Sequence, residues 1–97
     1  MSDTPKAPKG MRIKADDAVA KGVYTNNMFV AHTREEFVMD FLGTYVGQAF
    51  LNARVVTSPG HMKRIVKALT ENLAKYEKQY GPIPEPKVRE SGSEIVN

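Results

Sequence analysis

The residues of this chain best suited to chemistry are a histidine and the three cations that follow it. His61 falls in the first turn of a predicted helix, and Lys63, Arg64 and Lys67 come within the next six residues. A helix N-terminus offers free backbone N–H groups and a favourable dipole to an anion, and nearby cations add attraction. One interpretation is therefore an anion or nucleic-acid contact. The other, which we favour, is that His61 caps or packs the first turn while the cations are solvated.

A second candidate set combines the other histidine with a carboxylate. His32 and Asp40 could lie near each other on adjacent strands, and with His61 they could form a metal-ligand set or a base and its orienting carboxylate. Two histidines in a chain without cysteine make a small donor set for zinc. No activated serine or glycine-rich nucleophile turn accompanies them. We therefore predict no metal, no cofactor and no catalytic site.

The other polar residues within apolar segments predict structural contacts. Glu36 and Asp40 share one face of a predicted strand, where they could pair with Arg54 of the neighbouring strand. Such an arrangement is a cross-strand ion pair rather than a catalytic dyad. Asn26 and Asn72 interrupt apolar patterns, and we expect both to be structural, with Asn72 bonding to strand backbone or to a dimer mate.

A long helix must carry His61, and both of its ends are marked in the sequence. Ser58 is a suitable N-cap, Pro59 suits the first helical position, and Gly81 followed by Pro82 is a typical stop. Between them, apolar side chains recur at helical spacing and predict one continuous stripe. The stripe consists of Met62, Ile65, Val66, Ala68, Leu69, Leu73, Tyr76 and Tyr80.

Three apolar segments with strand-like alternation precede this helix. They are residues 24–33, 36–42 and 49–57. The links are short enough for antiparallel hairpins, and strict alternation in the third segment places Leu51, Ala53 and Val55 on one face. A weak further strand is predicted at 11–14. The predicted fold class is therefore α+β, a three-stranded (with 11–14, four-stranded) antiparallel meander followed by one long C-terminal helix, β-β-β-α.

A single helix covers one face of such a sheet. The face predicted to receive it carries alternate side chains of the middle strand, namely Phe37, Met39 and Phe41. Val38 and Leu42 then point elsewhere, and a helix about 33 Å long overhangs the sheet at Tyr76 and Tyr80. Exposed apolar surface usually marks an interface. We predict that these four residues form an oligomer or partner surface, most simply in a two-fold dimer.

Composition bounds the remaining possibilities. The chain has 97 residues, and its helix, with five basic and two acidic side chains, accounts for the whole net charge of +3. Proline and small polar residues at 1–10 and 84–97 predict disordered tails around one domain at 11–83. No apolar run approaches the roughly 20 residues of a membrane span, and no secretory segment is apparent. We expect a cytoplasmic protein without membrane contact.

Two stretches of the chain resemble a known family. They are YTNNMFVAHTREEFVMDF at 24–41 and RVVTSPGHMKRIVKALTENLAKYEKQYGPI at 54–83. The matching positions include Tyr24, Asn26, Phe37, Asp40, Ser58, Pro59, His61, Asn72, Tyr76 and Gly81. The chain is similar here to small bacterial, archaeal and viral proteins grouped as domain of unknown function 3467. The resemblance implies a fold without an assigned reaction. The element order is also loosely similar to that of SecB-type export chaperones.

No group of residues in the sequence specifies a reaction, so we expect a non-enzymatic binding module. In this interpretation the protein is a homodimer or larger oligomer that holds a protein partner through a sheet face or edge. The alternative is a nucleic-acid-associated protein that uses Lys63, Arg64 and Lys67 on the outer face of the helix. Its binding would be weak and non-specific, because no aromatic side chain accompanies those cations for stacking. A small enzyme is the third and least favoured hypothesis.

Overall fold

The computed structural model describes residues 10–85, which form two helices and one antiparallel sheet of order β1-β2-β3. The elements are α1 (Asp17–Lys21), β1 (Asn27–His32), β2 (Phe37–Tyr45), β3 (Gln48–Thr57) and α2 (Pro59–Tyr80). The predicted α+β class, a three-stranded meander followed by a long helix, is confirmed. The tails predicted at 1–10 and 84–97 lie outside the described residues, apart from residues 10, 84 and 85.

The segment that precedes the sheet differs from the prediction. Residues 11–14 form no strand, because they pair with neither edge of the sheet. The chain instead forms the short exposed helix α1, which the sequence analysis missed. Asp17 lies in the first turn of α1 and Lys21 in its last, where their charges suit the helix dipole. The helix ends at Gly22, whose φ of 80° favours glycine.

Both hairpin turns are tight. In the first, Thr33 Oγ1 accepts hydrogen bonds from the backbone N–H groups of Glu35 and Glu36, each at 3.2 Å. In the second, two residues join β2 to β3, and one of them is Gly47 with a φ of 70°. Because this turn is so short, β2 continues to Tyr45, beyond the predicted end of the strand at residue 42.

A bulge in β3 decides which of its side chains share a face. Ala53 pairs with Phe41, whereas Leu51 pairs with Leu42, so that Asn52 is an extra residue in β3. The predicted alternation through this strand is therefore wrong, because the bulge moves Leu51 to the face opposite Ala53. Asparagine is uncommon inside strands, and its presence in this β-branched segment was the available signal.

The bulge is held by a hydrogen bond and by a close approach of two strands. Asn52 Nδ2 donates to the carbonyl oxygen of Tyr24 at 2.7 Å. A Cβ atom built on Gly43 would lie 2.8 Å from Asn52 Nδ2 and 3.1 Å from the Tyr45 hydroxyl. Glycine at position 43 therefore leaves the space that the Asn52 side chain needs to reach the segment before β1.

Helix α2 begins and ends at the predicted residues. Ser58 Oγ accepts from the backbone N–H of His61 at 3.2 Å, and Pro59 is the first helical residue. At the other end, Gly81 has a φ of 95° and its N–H donates to the Glu77 carbonyl at 2.8 Å. Both caps use groups close in sequence, which explains why the helix could be delimited without tertiary information.

Helix α2 does not pack over the sheet, so the prediction that its stripe meets Phe37, Met39 and Phe41 is wrong for the single chain. No residue of α2 is buried. Ser58 alone separates β3 from α2, and its extended backbone (φ −80°, ψ 158°) does not turn the helix back. Within residues 10–85 the buried apolar core is therefore limited to Met39 and Leu42, which are 6% and 8% exposed.

Candidate interaction surfaces

One face of the sheet, called the apolar face below, carries no lysine, arginine or carboxylate side chain. The strand register places its apolar members side by side: Met28, Val30, Phe37, Met39, Phe41, Phe50, Ala53 and Val55. Met39 is buried at the centre by its neighbours, whereas Val30, Phe50 and Val55 are exposed. Phe50 joins this face because of the bulge, whereas strict alternation with Ala53 and Val55 would place it on the opposite face. Among residues 10–85 nothing covers the apolar face, which is therefore half of a hydrophobic core.

The opposite face, called the mixed face, contains the predicted ion pair. Asp40 faces Arg54 in the register, and Arg54 Nε and Nη2 donate to the two carboxylate oxygens at 2.6 and 2.9 Å. These hydrogen bonds, with the charge of Arg54, hold the pKa of Asp40 below its ordinary value. Glu36 lies in the turn before β2 and is not part of the pair. The cross-strand ion pair is thus confirmed for Asp40.

The residues predicted to form a partner surface differ in their exposure. Tyr76 and Tyr80 are exposed, with their ring centroids 5.0 Å apart. Val38 is half-buried on the mixed face. Leu42 is buried, which corrects its assignment to an exposed surface. It lies in the central strand, and Thr25 Oγ1, in the segment before β1, donates to its backbone carbonyl at 2.8 Å.

The candidate metal or catalytic set is not brought together. His32 lies on the apolar face, where its ring contacts that of Phe37 at a centroid distance of 5.3 Å, and Asp40 lies on the mixed face. His61 is exposed at the start of α2. No group of three or more histidine, aspartate or glutamate residues within 10–85 is arranged to hold a metal ion. The proximity of His32 and Asp40 that adjacent strands would have allowed is therefore not found, because strand alternation places the two residues on opposite faces.

The α2 stripe, defined by the eight apolar residues predicted from the sequence, is open to solvent along most of its length. Met62 and Ile65, near the sheet, are half-buried. Every residue of the stripe from Val66 to Tyr80 is exposed, and Leu69 retains 65% of its accessible surface. A helix of this kind owes most of its stability to packing of its apolar side.

The cations that follow His61 form an exposed row on α2. Lys63, Arg64 and Lys67 are all exposed, and Asp40–Arg54 is the sole ion pair among residues 10–85. The N–H of His61 is already used by the Ser58 cap. The geometry therefore leaves three exposed cations on one helix, close to an N-terminus that is capped by Ser58.

Asn26 has a structural role at the start of the sheet. Its Oδ1 accepts from the N–H and the hydroxyl of Thr44 at 2.8 and 3.1 Å, and its Nδ2 donates to the Thr44 carbonyl at 3.0 Å. The side-chain amide thus takes the place of one strand residue beside the end of β2. Asn72, the other asparagine singled out by the sequence, is exposed on α2.

The described chain offers little enclosed space. A hollow of about 190 Å³ lies at the start of β1, lined by Thr25, Asn26, Asn27, Met28 and Phe41. Ligand pockets usually begin at about 300 Å³. Among residues 10–85 no helix has both the length and the apolar character needed to cross a membrane. The prominent features are therefore open apolar surfaces rather than a cleft.

Comparison with known proteins agrees with the two sequence motifs. A family model described as protein of unknown function (DUF3467) matches residues 1–85. The matched region includes the whole sheet and all of α2. No curated protein and no solved structure matches the chain.

Proposed function

The chain belongs to this family of unknown function (DUF3467), and from its surfaces we propose that it is a non-enzymatic interaction module. It self-associates and holds a protein partner through its sheet. The observation that supports the proposal is the open apolar face. Of the side chains on this face in residues 10–85, Met39 alone is buried. Contiguous exposed apolar surface of this kind marks protein interfaces.

The free edge of β1 supports a particular mode of binding. Asn27–His32 contains no proline, glycine, lysine, arginine or carboxylate, which are the residues that protect sheet edges. The other edge strand, β3, carries the bulge at Asn52 and the charged Arg54. An extended segment could therefore pair with β1 and place alternate apolar side chains beside Val30 on the apolar face. The partner is accordingly an extended, apolar stretch of polypeptide.

A direct test uses a fluorescent peptide of alternating valine and threonine residues and measures its anisotropy with the full chain. Val30→Asp places a carboxylate on the apolar face at the β1 edge, and we expect it to abolish binding. Val19→Asp is the matched control, because Val19 is another exposed valine, on α1 rather than in the sheet. Circular dichroism checks that both variants fold. Absence of peptide binding by the unmodified chain, or equal binding by both variants, contradicts the proposal.

The alternative, nucleic-acid binding, is supported by the exposed row of Lys63, Arg64 and Lys67. Contact with about three phosphates per chain predicts a slope near −3 in a plot of log affinity against log salt on duplex DNA. Replacement of all three residues by glutamine should abolish this binding and leave the fold intact. If the unmodified chain retards neither DNA nor RNA at low salt, this alternative is wrong.

A further inference from the structure

The central residues of the α2 stripe are spaced as a palindrome. In order they are Met62, Val66, Leu69, Leu73, Tyr76 and Tyr80, separated by 4, 3, 4, 3 and 4 residues. This is the spacing of the apolar seam in a coiled coil, and it is the same in either direction about Glu71. We propose that two copies of α2 pair antiparallel along this seam, about a two-fold axis level with Glu71. The pairing rests on the self-association included in the proposed function.

Antiparallel pairing matches large side chains with smaller ones. Each facing pair is symmetric about Glu71: Met62 with the partner's Tyr80, Val66 with the partner's Tyr76, and Leu69 with the partner's Leu73. Tyr76 and Tyr80 already contact each other and present one aromatic surface, which suits the thioether of a methionine. A parallel pair would instead place tyrosine against tyrosine at one end, and methionine and valine against their own copies at the other, which packs less evenly.

The side chains beside the seam favour the same orientation. In an antiparallel two-fold pair, each flank of one helix meets the same flank of its partner. Lys63 and Glu77 lie on one flank, fourteen residues apart and almost symmetric about the axis. Lys63 therefore pairs with the partner's Glu77, and Glu77 pairs with the partner's Lys63. The pairing supplies two ion pairs per dimer. In a parallel pair each flank meets the opposite one, which separates these charges.

The groups concerned are available for such contacts. Lys63 is exposed and has no acidic partner in residues 10–85. One carboxylate oxygen of Glu77 accepts from the N–H of Ile83 at 2.9 Å, which holds this side chain at the end of the helix. On the other flank, Asn72 comes beside the partner's Asn72, where two amides can hydrogen-bond reciprocally. This contact accounts for a polar residue next to the seam.

The seam on α2 is exposed in the single chain and available to a second copy. Its side chains from Val66 to Tyr80 each retain between 48% and 67% of their accessible surface. The apolar face of a second copy is a less suitable occupant of the stripe, because it carries no charged side chain to pair with Lys63 or Glu77. Pairing through α2 also leaves both apolar faces open for the proposed partner.

The absence of cysteine in the chain allows a direct test by cross-linking. Val66→Cys and Tyr76→Cys chains are purified separately, mixed and mildly oxidised. The antiparallel pair predicts a disulfide between the two variants and none within either, because two copies of position 66 lie about 15 Å apart along the axis. Dimerisation of Val66→Cys with itself indicates a parallel pair and overturns the proposal.

Sedimentation of the unmodified chain separates this inference from the proposed function. A dimer in solution whose α2 positions fail to cross-link overturns the α2 pairing while self-association stands. A monomer at high concentration removes both. A dimer together with the 66–76 cross-link supports both.

Charge reversal tests the flanking contacts without altering the seam. Lys63→Glu should weaken dimerisation by about tenfold at low salt, since two ion pairs become two repulsions. The double variant Lys63→Glu/Glu77→Lys should recover most of this loss. Lys67→Glu is the matched control, because it makes the same charge change on the outer side of α2 and should alter the dissociation constant by less than about twofold. Equal effects of Lys63→Glu and Lys67→Glu overturn the proposal.

Discussion

Alanine at position 43 should destabilise the protein, although alanine usually suits a strand better than glycine. A Cβ atom there would lie 2.8 Å from Asn52 Nδ2, closer than real contacts allow, and 3.1 Å from the Tyr45 hydroxyl. The Asn52 side chain must then move and release its 2.7 Å hydrogen bond to the Tyr24 carbonyl.

The expected size of the effect follows from two opposing contributions. Loss of the hydrogen bond and displacement of the Tyr45 ring cost about 2–3 kcal/mol together. Replacing glycine restricts the unfolded chain and returns about 0.4–1 kcal/mol. Gly43→Ala should therefore lower the free energy of unfolding by about 1–2.5 kcal/mol. With a slope of about 1 kcal/mol per molar urea, the midpoint of urea unfolding falls by about 1–2.5 M.

Gly60→Ala is the control, because a Cβ at this position in the first turn of α2 meets nothing within 4 Å. That variant should be stabilised by up to about 1 kcal/mol, through higher helix propensity. A second control combines Gly43→Ala with Asn52→Ala, which removes the clashing amide but not the Tyr45 contact, so adding Gly43→Ala to Asn52→Ala should cost less than Gly43→Ala costs in the unmodified chain. All variants are compared at one protein concentration. If Gly43→Ala is as stable as Gly60→Ala, the explanation of the bulge is wrong.

Two further predictions concern the α2 seam and the ion pair. Leu69 is 65% exposed in the single chain, so Leu69→Ala should act mainly on the dimer. It should weaken association by about 3 kcal/mol, on the order of 100-fold in the dissociation constant. Lys67→Ala should change the free energy of association by no more than about 0.5 kcal/mol. Sedimentation equilibrium measures both, and an unchanged constant for Leu69→Ala in a dimeric protein contradicts the seam. Because the pKa of Asp40 is lowered in the folded state, its contact with Arg54 stabilises the fold at pH values above the ordinary pKa of 3.8. This stabilisation is lost as the pH falls through the lowered pKa of Asp40 in the folded protein. The free energy of unfolding, measured with urea at a series of acidic pH values, should depend less on pH in Asp40→Asn than in the unmodified chain. An identical pH dependence in the two proteins would exclude the Asp40–Arg54 contact as its cause.

The sequence by itself determined the features that depend on neighbouring residues. The ends of α2 follow from Ser58, Pro59 and Gly81, whose caps use backbone groups only three or four positions away. The alternating faces of β2 follow from the geometry of an extended chain. The pairing of Asp40 with Arg54 followed from the same periodicity once the two strands were recognised as antiparallel neighbours.

Tertiary structure alone decided the relations between elements. The bulge at Asn52 depends on a contact with Tyr24, 28 positions earlier in the chain, and it moved Phe50 to the apolar face. Leu42 is buried in the central strand, and its carbonyl accepts a hydrogen bond from Thr25, 17 positions earlier in the chain. Helix α2 follows β3 after Ser58 alone and buries none of its residues, which the apolar periodicity of the stripe did not show. Hydrophobic periodicity shows which side of a helix or strand must be covered. It does not show what covers that side, because the hydrophobic effect has no direction of its own. The covering group is set by the path of the chain and by other molecules.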